Sequence, residues 1–180
     1  FHANFFRSKS HLRDLGKMVK KFKTLEHQNV VKIMELVVNG DEVVLVLDFV
    51  DGPDLKWYLA NRPWNLQERL VILAQICNGL SYLHDHKFVH HDLKPANVLF
   101  TRQGQVKLCD FSLAGASGGL LGMFDQGAVE QVTPMYVAPE LIRKEKATKS
   151  VDMYSLGIMM YLMFVGKVPF EVDNLQKLYA

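Results

Sequence analysis

His90-His91-Asp92-Leu93-Lys94-Pro95-Ala96-Asn97 is the stretch on which the reading of this chain turns. Ahead of it, Leu66–His86 carries Leu66, Leu70, Leu73, Cys77 and Leu80 on one stripe, the pattern of a long amphipathic helix. Behind it come two short strands, Val98–Thr101 and Gln105–Cys109, turned by Arg102-Gln103-Gly104. Taken alone, Asp92 to Asn97 would pass for a polar helix-to-strand turn with an X-Pro kink. Thirteen residues past Asn97, however, stands Asp110-Phe111, and further on Ala138-Pro139-Glu140.

The order and spacing of these three motifs resemble the catalytic half of the eukaryotic-type protein kinase superfamily, most closely its Ser/Thr members. One motif would be weak; three in order are specific for the superfamily and say nothing of the substrate. The resemblance implies an α+β, bilobal protein-kinase-like fold truncated at both ends. Residues 1–50 would form a partial N-lobe, a sheet with one helix, and residues 51–180 a mainly helical partial C-lobe. The residue pattern agrees. Leu12–Leu25 has helical apolar spacing, Val30–Val38 and Val43–Val50 read as strands joined at Asn39-Gly40-Asp41, and the second run is expected to be buried on both faces. Asp51-Gly52-Pro53-Asp54 breaks that run, with Asp54 the N-cap of a short helix through Leu59. Val151–Val165 is apolar nearly all round and reads as a central helix.

Residue by residue, the resemblance makes Asp92 the group that accepts or orients the proton of a substrate hydroxyl, and Lys94 the cation on the transferred phosphate. Asn97 and Asp110 would hold Mg²⁺, and Thr133 would bond to Asp92 and Lys94. Leu47 would gate the adenine pocket, Asp48 and Val50 contact adenine through backbone groups, Leu99 and Cys109 line the pocket, and Asp54 touch ribose. His90 and Phe111 would align this machinery, with Phe22 as their partner. Asp152 would anchor the catalytic-loop backbone, since an unpaired buried carboxylate is costly. ATP and Mg²⁺ are the implied cofactors, and a protein carrying a Ser/Thr hydroxyl the implied substrate, with room for a regulatory partner.

Several positions depart from the family pattern. No G-x-G-x-x-G loop and no V-A-I-K-like lysine is present, which reads as truncation near Phe1. Counting back from His27-Gln28-Asn29-Val30, Met18 occupies the position of the helix glutamate, and a methionine can pack but not pair. His91 replaces the arginine that clamps a phosphorylated activation loop, so activation should not depend on a phosphate within 115–132, Ser117 included. Ser112 replaces the glycine of Asp-Phe-Gly, which should make that loop slower to flip. The chain ends at Ala180, before the arginine that Glu140 would pair with. Met18 and the missing loop favour a second reading, a pseudokinase that binds nucleotide or acts as a scaffold. The intact Asp92, Lys94, Asn97 and Asp110 argue against it, because packing alone does not need them. A small-molecule kinase is a third reading, disfavoured by the Thr133–Glu140 stretch.

Bulk properties fit. With 180 residues, 49% of them hydrophobic, the chain can bury a core, and a net charge of +2 marks no nucleic-acid-binding stripe. Cys77 and Cys109 sit in apolar surroundings, as expected of free thiols in a reducing, cytoplasmic setting. The longest apolar run, Leu156–Val165, is half of a membrane span.

Overall fold

The computed structural model describes residues 16–17, 19–39, 42–110, 134–143 and 145–170; for 38, 39, 42, 43 and 134 it describes the backbone alone. Met18, Phe111, Ser112, Ser117 and Thr133 lie outside the described residues.

Residues 16–17 and 19–22 are helical and bury Val19 and Phe22. Two strands follow, β1 (Ile33–Asn39) and β2 (Glu42–Leu47), antiparallel with Leu36 opposite Leu45. Leu36 and Leu45 pack toward the core, while Val44 and Val46 on the other face are 47% and 39% exposed. The expectation that the second run is buried on both faces is therefore corrected. This sheet has two strands, and only one of its faces meets the core among the described residues.

The remaining helices come after Asp51. Asp54 caps α1 (Leu55–Asn61), its Oδ1 accepting from the Trp57 amide at 2.7 Å, so the expected N-cap is present and the helix runs two residues longer. Asn65 and Glu68 form a reciprocal capping box at the start of α2 (Leu66–Asp85), each side chain accepting from the other's backbone N–H. The expected stripe on this helix is kept in part: Leu80 is buried and Leu73 packs against the core. Leu66 and Leu70 are exposed, as is Cys77, whereas Ile72, Ile76, Gly79, Leu80 and Leu83 face inward. Both rows are apolar, so periodicity alone could not choose between them.

Strands β3 (Val98–Phe100) and β4 (Val106–Leu108) make a second antiparallel pair, turned through Gly104 at φ +81°. A single helical turn, α3 (Pro139–Ile142), precedes α4 (Ser150–Val165), whose buried side includes Asp152, Leu156, Met159 and Met163. Leu93 of the catalytic stretch, Val98, Leu108, Ile76 and Met159 share one core. Arg69 at the head of α2 donates to the carbonyls of Trp64, Met163 and Phe164, satisfying carbonyls that the end of α4 leaves open.

Residues 26–31 are stitched onto this helical body. Asn29 Nδ2 donates to Val106 O at 2.9 Å and to Gln75 Oε1 at 3.2 Å, and Gln75 Oε1 also accepts from Val106 N. Leu108 N donates to Asn29 O, Val31 N donates to Leu108 O, and Glu26 N donates to the Tyr82 hydroxyl. The approach is close enough that a Cβ on Gly79 would stand 2.8 Å from Asn29 O and from Leu108 Cδ1. Gly52 is tighter still, its would-be Cβ lying 2.3 Å from the carbonyl oxygen of Phe100. Backbone cannot swing aside as a side-chain tip can. Gly52→Ala is expected to cost about 1–3 kcal/mol, the usual range for overpacking, read as a lower urea midpoint at unchanged m-value. An unchanged midpoint would show that the 51–54 segment is free to move off β3.

Candidate active site

The catalytic stretch runs from α2 to β3 as irregular backbone ending in a 3-10 turn at Pro95–Asn97, and its shape is imposed from behind by one carboxylate. Asp152, on the first turn of α4, is fully buried. Its Oδ2 accepts from His90 N and its Oδ1 from His91 N, both at 2.8 Å, while His84 Nε2 lies 2.7 Å from Oδ2. Burial would raise the pKa of Asp152, but the His84 bond, nearby His90 and the two backbone amides together hold it below its ordinary value. The anchoring read from sequence is thus seen directly, with His84 as a partner that sequence reasoning missed.

That anchor holds His91 at φ +67°, a left-handed conformation in which an ordinary side chain costs roughly 1–2 kcal/mol. Asp110, at the other end of the site, stands at φ +53°. Between them the polar side chains converge on Asp92. Lys94 Nζ donates to Asp92 Oδ2 at 2.7 Å. Asn97 Nδ2 donates to the same oxygen at 3.0 Å and to the Asp92 carbonyl at 2.8 Å. Asn97 is itself buried, and its carbonyl accepts from Cys109 N, which ties the loop to the strand leading into Asp110. Spending its amide N–H groups on Asp92 leaves Asn97 Oδ1 as the acceptor end of the side chain. Asp110 is exposed.

Asp54, Leu99 and Cys109 belong to the same neighbourhood. Asp54 forms a backbone bridge with Leu99. The Cys109 thiol is pushed up to about 12, first by burial and then by Asp110, Asp54 and Asp92, an electrostatic record of three carboxylates around it. Leu47 ends β2 and is exposed, while Asp48 and Val50 lie on the connector from β2 to α1, where Asp48 N–H donates to Lys32 O. Phe22 is buried and stacks on Phe88, ring centroids 4.3 Å apart. Glu140 accepts from the Ser150 hydroxyl at 3.0 Å.

Burial, partly opposed by Asp152, lowers the pKa of both His90 and His91 below 6.5. The stability these neutral rings contribute is complete above 6.5 and is lost as pH falls through their lower folded-state values. Asp152 adds stability that is complete above 3.8 and is lost below its own depressed value. The urea midpoint is therefore expected to fall as pH drops from about 7.5 and through the range below 6.5. His91→Gln should flatten that slope, and a flat wild-type profile would contradict the neutral assignment.

Comparison with known proteins agrees with this geometry. The family model described as the protein kinase domain matches residues 7–180. The serine/threonine-protein kinase PrkC of Bacillus subtilis (strain 168) is 32% identical over 164 residues, covering 91% of this chain and 25% of PrkC. The serine/threonine-protein kinase PkaA of Streptomyces coelicolor is 40% identical over 152 residues, covering 81% of this chain and 27% of PkaA. The chain thus spans about a quarter of the length of these two relatives. Among solved structures, the crystal structure of Rad53 residues 1–466 in complex with AMP-PNP superposes with a TM-score of 0.74 at 26% identity, over 92% of this chain and 41% of that one. The bilobal α+β architecture and the serine/threonine-kinase character of the relatives follow from the same matches. With a motif set, a folded site and a match over nearly its whole length in agreement, the chain belongs to the protein kinase domain family.

Proposed function

We propose that this chain carries the phosphoryl-transfer site of a serine/threonine protein kinase, which moves the γ-phosphoryl group of ATP to a Ser or Thr hydroxyl of a protein. The observation that carries the reading is the fixed Asp92 carboxylate, held by Lys94 Nζ at 2.7 Å and Asn97 Nδ2 at 3.0 Å. Phosphoryl transfer asks for positioning and charge rather than covalent help. Asp92 aligns the acceptor hydroxyl and takes its proton. Lys94 sets its cation beside the phosphate in transit, and Thr133 steadies the pair. Asn97 Oδ1 and the exposed Asp110 carboxylate fit Mg²⁺, one neutral and one anionic oxygen donor of the kind that binds this ion jointly with phosphate oxygens. When bound, the ion neutralises phosphate charge.

The nucleotide would lie between residues up to 50 and those from 51 onward. Asp48 and Val50 hold adenine through the backbone, Leu47 gates the pocket, Leu99 and Cys109 line it, and Asp54 reaches ribose. No helix among the described residues is long and apolar enough to cross a membrane. The free thiols Cys77 and Cys109 support a reducing, cytoplasmic setting. A regulatory partner fits the same picture.

The test is transfer of labelled γ-phosphate from Mg-ATP by the full-length protein to a mixture of generic acidic and basic proteins, followed by phosphoamino-acid analysis. Phosphoserine and phosphothreonine that vanish on chelation of the metal are expected. A folded protein that binds ATP and transfers nothing would make the chain a nucleotide-binding scaffold instead.

A further inference from the structure

Beside Lys94, a cleft of about 590 Å³ opens between α1, the head of α2, the catalytic loop, the Pro134–Tyr136 turn and the end of α4. That volume is in the range that holds a few side chains. Its walls are apolar, with Trp64, Met135 and Leu162 among them, each half-buried. Four cations line it, Lys56, Arg62, Arg69 and Lys94, and among the described residues no Asp or Glu does. Arg69 is committed to backbone carbonyls. Arg62 is pinned at the surface by Glu68 and lies over the Trp64 ring, 4.6 Å from its centroid. Lys56 is exposed on the first turn of α1. Lys94 connects the cleft to the reacting centre, because its Nζ is bonded to the Asp92 carboxylate.

We infer that this cleft receives the substrate polypeptide beside its acceptor hydroxyl, and that it selects an apolar residue flanked by an acidic one while rejecting arginine-flanked sequences. An arginine entering here would find Lys56 and, among the lining residues, no carboxylate to accept its five N–H donors, the Glu68 carboxylate beside Arg62 being already taken by that side chain. A glutamate would meet Lys56, which makes no ion pair among the described residues, and an aliphatic or aromatic neighbour would cover Trp64, Met135 and Leu162. Selection of this kind is as much repulsion as attraction. The inference rests on the phosphoryl-transfer reading above and adds the class of substrate.

Two serine peptides of equal length decide it, one carrying Glu and Leu around the acceptor and the other Arg in those places. Each is tested in two ways on the full-length protein: transfer by the wild type, and binding by fluorescence anisotropy to the Asp92→Asn variant, which needs no chemistry. The Glu-Leu peptide is expected to lead by about tenfold or more in kcat/KM and in affinity, and Lys56→Glu is expected to remove most of that lead. Equal use of the two peptides, preference for arginine, or an acidic preference untouched by Lys56→Glu would overturn the inference. Acid-preferring binding without transfer of either peptide would uphold the cleft and sink the phosphoryl-transfer reading. Transfer without acid preference would do the reverse.

Discussion

Asp92→Asn in the full-length protein should cut phosphate transfer by about 10²–10⁴-fold, the usual contribution of a positioned proton acceptor, while the thermal midpoint stays where it was. The two halves of that expectation come from the same three bonds. Asparagine fills the same space and can still present a carbonyl oxygen to Lys94 Nζ and Asn97 Nδ2, so the loop keeps its form. What disappears is the negative charge and the proton affinity that the acceptor hydroxyl requires. A variant that unfolds would show that Asp92 is a structural keystone, and one that transfers normally would remove it from the chemistry. Running both measurements on one preparation separates these outcomes.

Asp152→Asn should behave in the opposite way, losing the fold along with the activity. The native carboxylate offers oxygens to three donors, the amides of His90 and His91 and the ring of His84. Asparagine offers one oxygen and turns an N–H₂ group against a donor. Breaking a buried, hydrogen-bonded charge of this sort costs about 3–5 kcal/mol. For a domain of this size that corresponds to a drop of roughly 6–20 °C in melting temperature. Transfer should fall further than the folded fraction predicts, because His91 is kept at φ +67° by the bond from its own amide to Asp152. His84→Gln retains a donor within reach and is expected to cost much less. Equal losses in the two variants would mean that the histidine ring, rather than the carboxylate, organises the loop.

Much of the site was legible because its residues make poor sense as packing. A carboxylate at the head of an apolar helix must be answered by donors, and Asp152 is. A Pro-containing stretch with Asp, Lys and Asn between a helix and a strand is expensive to leave unpaired, and its groups bond to one another. Asp54 could be placed as a cap because Asx residues compete poorly for helix interiors and well for helix starts. The apolar features were harder to read. On α2 two adjacent rows, one beginning at Leu66 and one at Ile72, are both hydrophobic, and only the neighbouring elements select the inner one. In β2, runs of valine look the same whether one face or both are covered. Asn29, Gln75 and Arg69 were missed as partners because their bonds join segments dozens of residues apart. The available hint was a lone asparagine among Val30, Val31 and Ile33, which are all buried.

The stitching of residues 26–31 has a mechanical consequence. Through Asn29, Val31 and Glu26 this segment rides with α2 and β4, so it moves as part of the helical body although it precedes both strands in the chain. The β1–β2 hairpin leaves that body at Lys32 and returns to the connector at Asp48, and one backbone bond, Asp48 N to Lys32 O, clasps the two crossing points together. The clasp is a short axle. A displacement of the hairpin about that clasp would strain none of the bonds joining Asp92, Lys94 and Asn97, which all lie within the helical body.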